Sequence, residues 1–358
     1  LSGLGRWIRR FFVLLVGLVV LFAGAVAVGG YVLSGTGYSG PVSDHFDGKR
    51  FQNLRPALHG GFMDFLRWQR TRKPGEWQTR NDPPGPKPPD RVEKGQLRVT
   101  FINHATVLIQ QDGVNVLTDP TWSERASPVS WAGPRRMHPP GLRFEDLPRI
   151  QVVVISHNHY DHMDLPTLRQ LQERDTPRFF VGLGNGQMFV DKGIGPVTEI
   201  DWWKTATLGP DLEMIAVPAQ HFSGRGLFDR DRSLWLGYLF KGPAGVTYFA
   251  GDTGDGPHFD EIKKRFGAPR LALLPIGAYE PAWFMSGVHV SPAEALRAHD
   301  RLGAGTSVGI HFGTFPLADD GQDEPLDALQ QELSRRAAPR PRFMTLKFGE
   351  GLDVPASP

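Results

Sequence analysis

Val152-Val153-Val154-Ile155-Ser156-His157-Asn158-His159-Tyr160-Asp161-His162 joins two unlike patterns. The first four residues are apolar and β-branched without alternation, which reads as a short strand buried on both faces. The cluster from His157 to His162 therefore leaves the C-terminal end of a core strand. A single histidine there would read as hydrogen-bonded scaffolding. Three imidazoles and a carboxylate within six residues, however, are costly to bury without a cation. The chain has no cysteine, so any metal must rest on His, Asp or Glu. Such nitrogen and oxygen donors suit Zn²⁺, with manganese or iron as substitutes. Alternate side chains diverge along an extended loop, so four donors cannot all wrap one tetrahedral ion. Two metals follow, with His157 and His159 turned to one site and Asp161 and His162 to its neighbour.

Further donors occupy equivalent places downstream. His221 follows an apolar run at Met214–Val217, Asp252 follows Val246–Ala250 through Gly251, and His311 follows Val308–Ile310. Each is weak alone. Together they lie at the C-terminal ends of predicted strands, so one sheet rim could gather them. Other predicted strands are Leu97–Ile102, Thr106–Gln110, Val114–Thr118 and Leu234–Phe240, with Gln111-Asp112-Gly113 as a hairpin signal. Helices are predicted at Leu165–Glu173, Phe259–Phe266, Pro292–Leu302 and Leu326–Ala337. Strands first, then helices interspersed, point to an α/β (α+β) arrangement of sheets covered by helices.

The 358 residues suffice for a large core, and 40% hydrophobic with 22% charged residues is ordinary globular usage. Lys plus Arg number 40 against 38 acidic residues, which provides no basic field for nucleic acid. The exception to this even composition is the N-terminus. Arg6, Arg9 and Arg10 precede an apolar and glycine stretch from Phe11 to Leu33, broken only by Tyr31. It is long enough to cross a bilayer, whereas Ala25-Val26-Ala27 has the small-x-small form of a signal cleavage site. Retention as an anchor is the preferred reading. With the arginines held inside, the remainder lies outside the cytoplasm. Residues 1–33 thus read as a signal anchor or transmembrane helix, 34–95 as a linker and N-terminal extension, and 96–352 as the catalytic domain. In the extension, Phe62, Phe65 and Leu66 at helical spacing beside Trp68 read as packing, with a lipid surface as the sharper alternative. The prolines of Asn81–Asp90 read as a stiff linker.

The H-x-H-x-D-H cluster, a later His, Ala250-Gly251-Asp252-Thr253 and a last His resemble the metallo-β-lactamase superfamily in order and spacing. Other segments resemble the N-acylphosphatidylethanolamine-hydrolysing phospholipase D family: His45-Phe46-Asp47-Gly48, Asn103-His104-Ala105-Thr106, Leu117-Thr118-Asp119-Pro120, Ser123 to Pro128, Gly133-Pro134-Arg135-Arg136 and His311-Phe312-Gly313-Thr314-Phe315. The resemblance runs from about Ser43 to Pro325 and leaves out the apolar N-terminus. It implies an αββα four-layer sandwich. It also implies one zinc on His157, His159 and His221, a second on Asp161, His162 and His311, and Asp252 bridging both.

A water shared by two such ions would ionise near neutral pH, giving a hydroxide nucleophile for an ester or phosphodiester. The resemblance selects attack on phosphorus in N-acylphosphatidylethanolamine, releasing N-acylethanolamine and phosphatidic acid. The alternatives are a lactone, amide or sugar-phosphate ester as substrate, or a membrane-anchored metal-binding module without catalysis. Around the site, Asp119 is expected either to orient a metal-bound His or to serve as a turn carboxylate before Pro120. His104 and His289 are candidates to line the pocket, and Arg135 and Arg136 to contact phosphate. Trp202, Trp203, Trp283 and Phe284 read as core aromatics before an acyl-chain surface. His258 and His299 read most simply as surface residues.

Overall fold

The computed structural model describes residues 3–56 and 61–356. Along the chain run α1 (Gly3–Leu33), α2 (Phe62–Thr71), β1 (Leu97–Asn103), β2 (Thr106–Gln111), β3 (Val114–Thr118), β4 (Val152–Ile155), α3 (Leu165–Asp175), β5 (Arg178–Gly182), α4 (Gly186–Asp191) and β6 (Val197–Ile200). There follow β7 (Thr205–Gly209), β8 (Leu212–Val217), β9 (Gly237–Gly242), β10 (Gly245–Phe249), α5 (His258–Phe266), β11 (Leu271–Pro275), α6 (Ala282–Met285), α7 (Pro292–Leu302), β12 (Thr306–Ile310), α8 (Glu324–Ser334), β13 (Phe343–Met344) and β14 (Gly351–Asp353).

The described strands form two sheets, ordered β14-β1-β2-β3-β4-β5-β6 and β13-β12-β11-β10-β9-β8-β7. Each begins as an antiparallel meander and ends in parallel pairs, from β3 to β6 in one and from β10 to β13 in the other. Parallel strands need a crossover between them, and these crossovers supply the outer helices. β4 shows why the layers form. Val152 and Val154 enter the core between the sheets, while Val153 and Ile155 pack with Leu168 and Leu171 of α3 and Phe189 of α4. On the second sheet α7 packs over β11, flanked by α5 and α8. The protein is an αββα sandwich with an apolar helix at its N-terminus.

Local chemistry sets several boundaries. α7 starts at Ser291, whose hydroxyl and the Glu294 carboxylate form a capping box, with Pro292 at the first helical position. It ends at Gly303 in the left-handed conformation. β9 begins at Gly237 and not at Leu234, as predicted, because the N–H groups of Leu234 and Leu236 bond to Leu183 and Ser156 of the opposite layer. Tyr238 then spans the layers, donating to the carbonyls of Ile155 (2.8 Å) and Phe180 (3.1 Å).

The N-terminal extension does not hang free. Phe46 and Phe51 are buried in the inter-sheet core, and His45 stacks on Trp202 at 4.4 Å. The proline-rich stretch is extended, but it lies along the domain: Gly85 bonds to the Gly141 carbonyl, and the side chains of Gln110 and Asn115 donate to the carbonyls of Pro89 and Asp90. Its missing amide donors are thus compensated by carbonyls that accept from the sheet. Trp68 of α2 stacks on Phe284 of α6 at 5.1 Å, in a small cluster of their own.

Candidate metal centre

β4, β8, β10 and β12 end at one rim, and the residues that follow them converge there. Three turns at this rim, after β1, β3 and β12, require an unusual backbone. His104, Asp119 and His311 have φ of 46°, 36° and 62°, a left-handed conformation that non-glycine residues seldom adopt. Hydrogen bonds hold it in place: the His311 N–H bonds to the His104 carbonyl at 2.7 Å, and the His104 N–H to Thr314 Oγ1 at 3.0 Å. Gly251, at φ 60°, lets β10 leave beside Ser156; an added Cβ would lie 2.5 Å from Ser156 Cβ. Such strain is tolerated where the surrounding structure over-determines it, commonly at functional sites.

Two donor groups result. In the first, His157 Nε2 lies 2.8 Å from His159 Nδ1, and His221 Nε2 lies 3.4 Å from the same atom. Nitrogens bound tetrahedrally to one zinc sit about 3.3 Å apart. In the second group, His162 Nε2 and His311 Nε2 lie 3.2 and 3.5 Å from Asp161 Oδ2. Asp252 Oδ2 stands between the groups, 3.1 Å from His311, 3.2 Å from His162, 3.7 Å from His221 and 3.9 Å from His157. Yet His162 Nε2, His311 Nε2 and Asp252 Oδ1 are buried without a well-formed hydrogen bond. These donors crowd together at 3.1–3.5 Å with poor hydrogen-bond geometry. That is the arrangement of donors built for cations, so the residues present fit a metal pair.

The outward nitrogens are held separately. His162 Nδ1 donates to Asp119 Oδ2 at 2.7 Å, and His221 Nδ1 to the Val288 carbonyl at 2.9 Å. His157 Nδ1 lies 2.9 Å from Ser156 Oγ, which itself donates to Asp119 at 2.6 Å. One buried carboxylate, Asp119, thereby orients a ring in each group. Asp119→Asn is expected to weaken metal binding by about 10–100-fold, read by competition with a chelating dye, with both metals affected because both rings lose their support. An unchanged affinity would make Asp119 a turn residue.

Charge in the cluster is divided by burial and by neighbours. Burial, with repulsion from surrounding imidazoles, holds His157 and His221 well below the usual imidazole range. Burial likewise takes His159 and His289 down to about 4, leaving neutral rings suited to ligation. Burial opposes protonation of His162 and His311 as well, but Asp252 and Asp161 outweigh it, raising His162 well above its usual value and His311 to about 9. The same charges hold Asp161 and Asp252 well below the carboxylate range despite burial. Without cations, protons on His162 and His311 neutralise these carboxylates.

His104 Nε2 bonds to Asp161 Oδ2 at 2.9 Å, behind the second group. His289 sits at the rim, its Nδ1 3.9 Å from Asp252 Oδ2 and without a hydrogen bond. Arg135 is not brought to the cluster; it lies exposed, 3.8 Å from Glu124. Arg136 is buried; its Nε and Nη2 donate to the backbone carbonyls of Ser123 and Thr121, and its Nη1 has no hydrogen-bond partner. Trp202 is buried and donates to the Trp235 carbonyl, and Trp203 packs on Phe266. His258 and His299 require correction, since both are buried. His258 Nε2 lies 3.1 Å from Thr253 Oγ1, directly behind Asp252, and His299 Nδ1 lies 2.8 Å from Ser307 Oγ. Their helices turn these polar residues inward toward hydroxyl partners. Asn53 was not anticipated: its side chain holds the His221 backbone at both N–H (3.0 Å) and carbonyl (2.7 Å). Its only sequence signal was its place in the aromatic-rich extension.

The family described as "Beta-lactamase superfamily domain" matches residues 114–312. N-acyl-phosphatidylethanolamine-hydrolyzing phospholipase D 1 of Caenorhabditis elegans is 38% identical over 266 residues, covering 71% of this chain and 75% of the nematode protein. An uncharacterized protein of Mycobacterium tuberculosis is 42% identical over 244 residues, covering 67% of this chain and 64% of its own. Among solved structures, Igni18, a metallo hydrolase of Ignicoccus hospitalis, aligns with a TM-score of 0.55 at 24% identity, over 72% of this chain and 98% of that one. The topology that delivers these donors to one rim and the extent of the match together place the chain in the metallo-β-lactamase superfamily of metal-dependent hydrolases, similar there to the N-acylphosphatidylethanolamine-hydrolysing phospholipases D.

Proposed function

We propose that this protein is a membrane-anchored dinuclear zinc phosphodiesterase that cleaves N-acylphosphatidylethanolamine into N-acylethanolamine and phosphatidic acid. The observation that carries the proposal is the pair of donor groups meeting at Asp252, where the buried Nε2 atoms of His162 and His311 make no well-formed hydrogen bond. His157, His159 and His221 would hold one ion, Asp161, His162 and His311 the other, and Asp252 both. When bound, two such ions ionise water near neutral pH and stabilise negative charge on a phosphoryl oxygen and its leaving group.

The chain's own part is preparation. Asp119, Ser156 and the Val288 carbonyl fix the outer nitrogens so that the inner ones remain free. His104 holds Asp161. Phe222, its ring 4.4 Å from His159, closes one side against water. Similarity over three quarters of the nematode enzyme supports the lipid phosphodiester as substrate. α1 supports the location: it is a helix long and apolar enough to cross a membrane, and it is buried only near its last turn, at Gly30. With its arginines retained inside, the catalytic unit, residues 96–352 with the 34–95 extension packed on it, faces away from the cytoplasm.

The test is incubation of purified, metal-quantified protein with a total membrane lipid extract, followed by mass spectrometry. Loss of N-acylphosphatidylethanolamine with matching gain of N-acylethanolamine and phosphatidic acid is expected. Untouched N-acyl phospholipid alongside rapid opening of a lactone would reassign the substrate. No turnover of any ester at two metals per chain would leave a binding module.

A further inference from the structure

The end of α1 is built into the catalytic domain. Leu227 packs onto Gly30, where an added Cβ would lie 2.6 Å from Leu227 Cδ1, and the Leu227 N–H reaches the Gly30 carbonyl at 3.4 Å. A Cβ on Gly226 would strike the same carbonyl, so two glycines permit this close approach. Ser34 Oγ donates to the Gly30 carbonyl at 2.7 Å and accepts from the Phe228 N–H at 3.2 Å. The Gly35 N–H donates to Asp229 Oδ2 at 2.8 Å, and Asp229 Oδ1 accepts the Gly226 N–H at 2.8 Å. The tether between helix and domain is therefore a fixed joint. It continues inward through Arg225, which donates to the carbonyls of Asn158 and Met163 at 2.9 Å and lies 3.9 Å over the Tyr160 ring. A groove of about 340 Å³ runs between α1 and the domain, lined by Val32, Leu33, Met188, Tyr160 and Arg225.

This joint fixes a depth. At 1.5 Å per residue the Phe11–Leu33 stretch is about 34 Å long, against about 30 Å of bilayer hydrocarbon. Gly30 lies three residues inside the end of that stretch, so Leu227, packed against it, sits level with the last turn of the apolar segment. Leu227, although packed against Gly30 on one side, and Phe228 are 61% and 53% exposed, so most of the surface of these two large apolar side chains faces outward among the described residues. We infer that the 225–228 loop is a second membrane contact, its Leu227 and Phe228 side chains entering the lipid interface beside α1. Phe222, three residues ahead of this loop, lies against His159 at 4.4 Å, so the contact holds the candidate metal rim near the bilayer surface. This inference rests on the reading of α1 as a membrane span, and its occupant is the lipid bilayer into which α1 inserts.

The chain has no cysteine, which permits single labelled sites in the otherwise intact protein. Leu227→Cys, Phe228→Cys, Val20→Cys and Ser334→Cys, each carrying an environment-sensitive fluorophore, are reconstituted as full chains into phosphatidylcholine vesicles with a nitroxide high on the acyl chain. Strong quenching and a blue shift are expected at 227 and 228, with quenching at 20 and none at 334 on α8. Quenching at 20 with 227 and 228 as water-exposed as 334 would overturn the membrane contact while keeping the span. Absence of quenching at 20, 227 and 228 alike would overturn the span itself, and the contact with it.

Discussion

Asp252→Ala is expected to lower turnover by about three orders of magnitude or more, with metal content falling in parallel. The magnitude follows from what one oxygen does. Asp252 Oδ2 lies within 3.1–3.9 Å of nitrogens in both donor groups, so on the proposed two-metal reading its loss would remove a shared ligand and a negative charge from between the two cations. Removing even one well-placed electrostatic donor from an active site costs about 10²–10³ in rate; here both sites are affected. Asp252→Asn separates charge from shape, because it fills the same space and retains one neutral oxygen. It should bind metal more weakly than the parent but retain the fold, as judged by an unchanged circular dichroism spectrum. Turnover at the parental rate in Asp252→Ala, with both metals absent by elemental analysis, would remove the metal centre from the reaction.

Stripping the metals with a chelator should abolish hydrolysis and lower the melting temperature on the order of 5–10 °C. A ligand at a thousand times its dissociation constant stabilises by about 4 kcal/mol, and a large domain shifts by about 2 °C or more for each kcal/mol. The pH dependence gives a sharper test. In the stripped protein, His311 is raised to about 9 by Asp252 and Asp161 against the opposing effect of burial, and His162 is raised as well. A folded-state value above the unfolded one stabilises fully below the unfolded value of about 6.5 and loses that effect as pH rises through about 9. The gap in melting temperature between loaded and stripped protein should therefore widen from pH 6.5 to 9. Reloading in this window should also release protons, visible as a calorimetric enthalpy that changes with the buffer. A constant gap and a buffer-independent enthalpy would show that these imidazoles do not carry the neutralising protons.

Elements with continuous apolar cores or complete caps were legible in the sequence. Val152–Ile155 and Pro292–Leu302 have their predicted bounds. β6 and β7, which the sequence reading omitted, are edge strands of their sheets; half-exposed and polar, they lack the alternation that marks a strand with one buried face. β5 and β11 were also omitted, since short apolar runs do not by themselves distinguish strand from buried helix. The burial of His258 and His299 is not legible locally, because it depends on hydroxyl partners on neighbouring elements, Thr253 and Ser307 respectively. Two of the Arg136 nitrogens are held by the backbone carbonyls of Ser123 and Thr121, 13 and 15 residues away, while Nη1 is buried without a hydrogen-bond partner; no local pattern announces such an anchorage.

By itself, the sequence determined that the chain carries a His and Asp cluster at the end of a buried strand, more such residues after later strands, and an apolar N-terminal segment. These are local facts of residue type and spacing, which physical chemistry constrains within a few neighbours. Tertiary structure alone decided which nitrogens face one another, that one carboxylate behind them orients rings in both groups, and that the N-terminal helix is joined to the loop beside the rim. Those relations arise between residues distant along the chain, where the packing of two sheets, and not any local pattern, sets the distance.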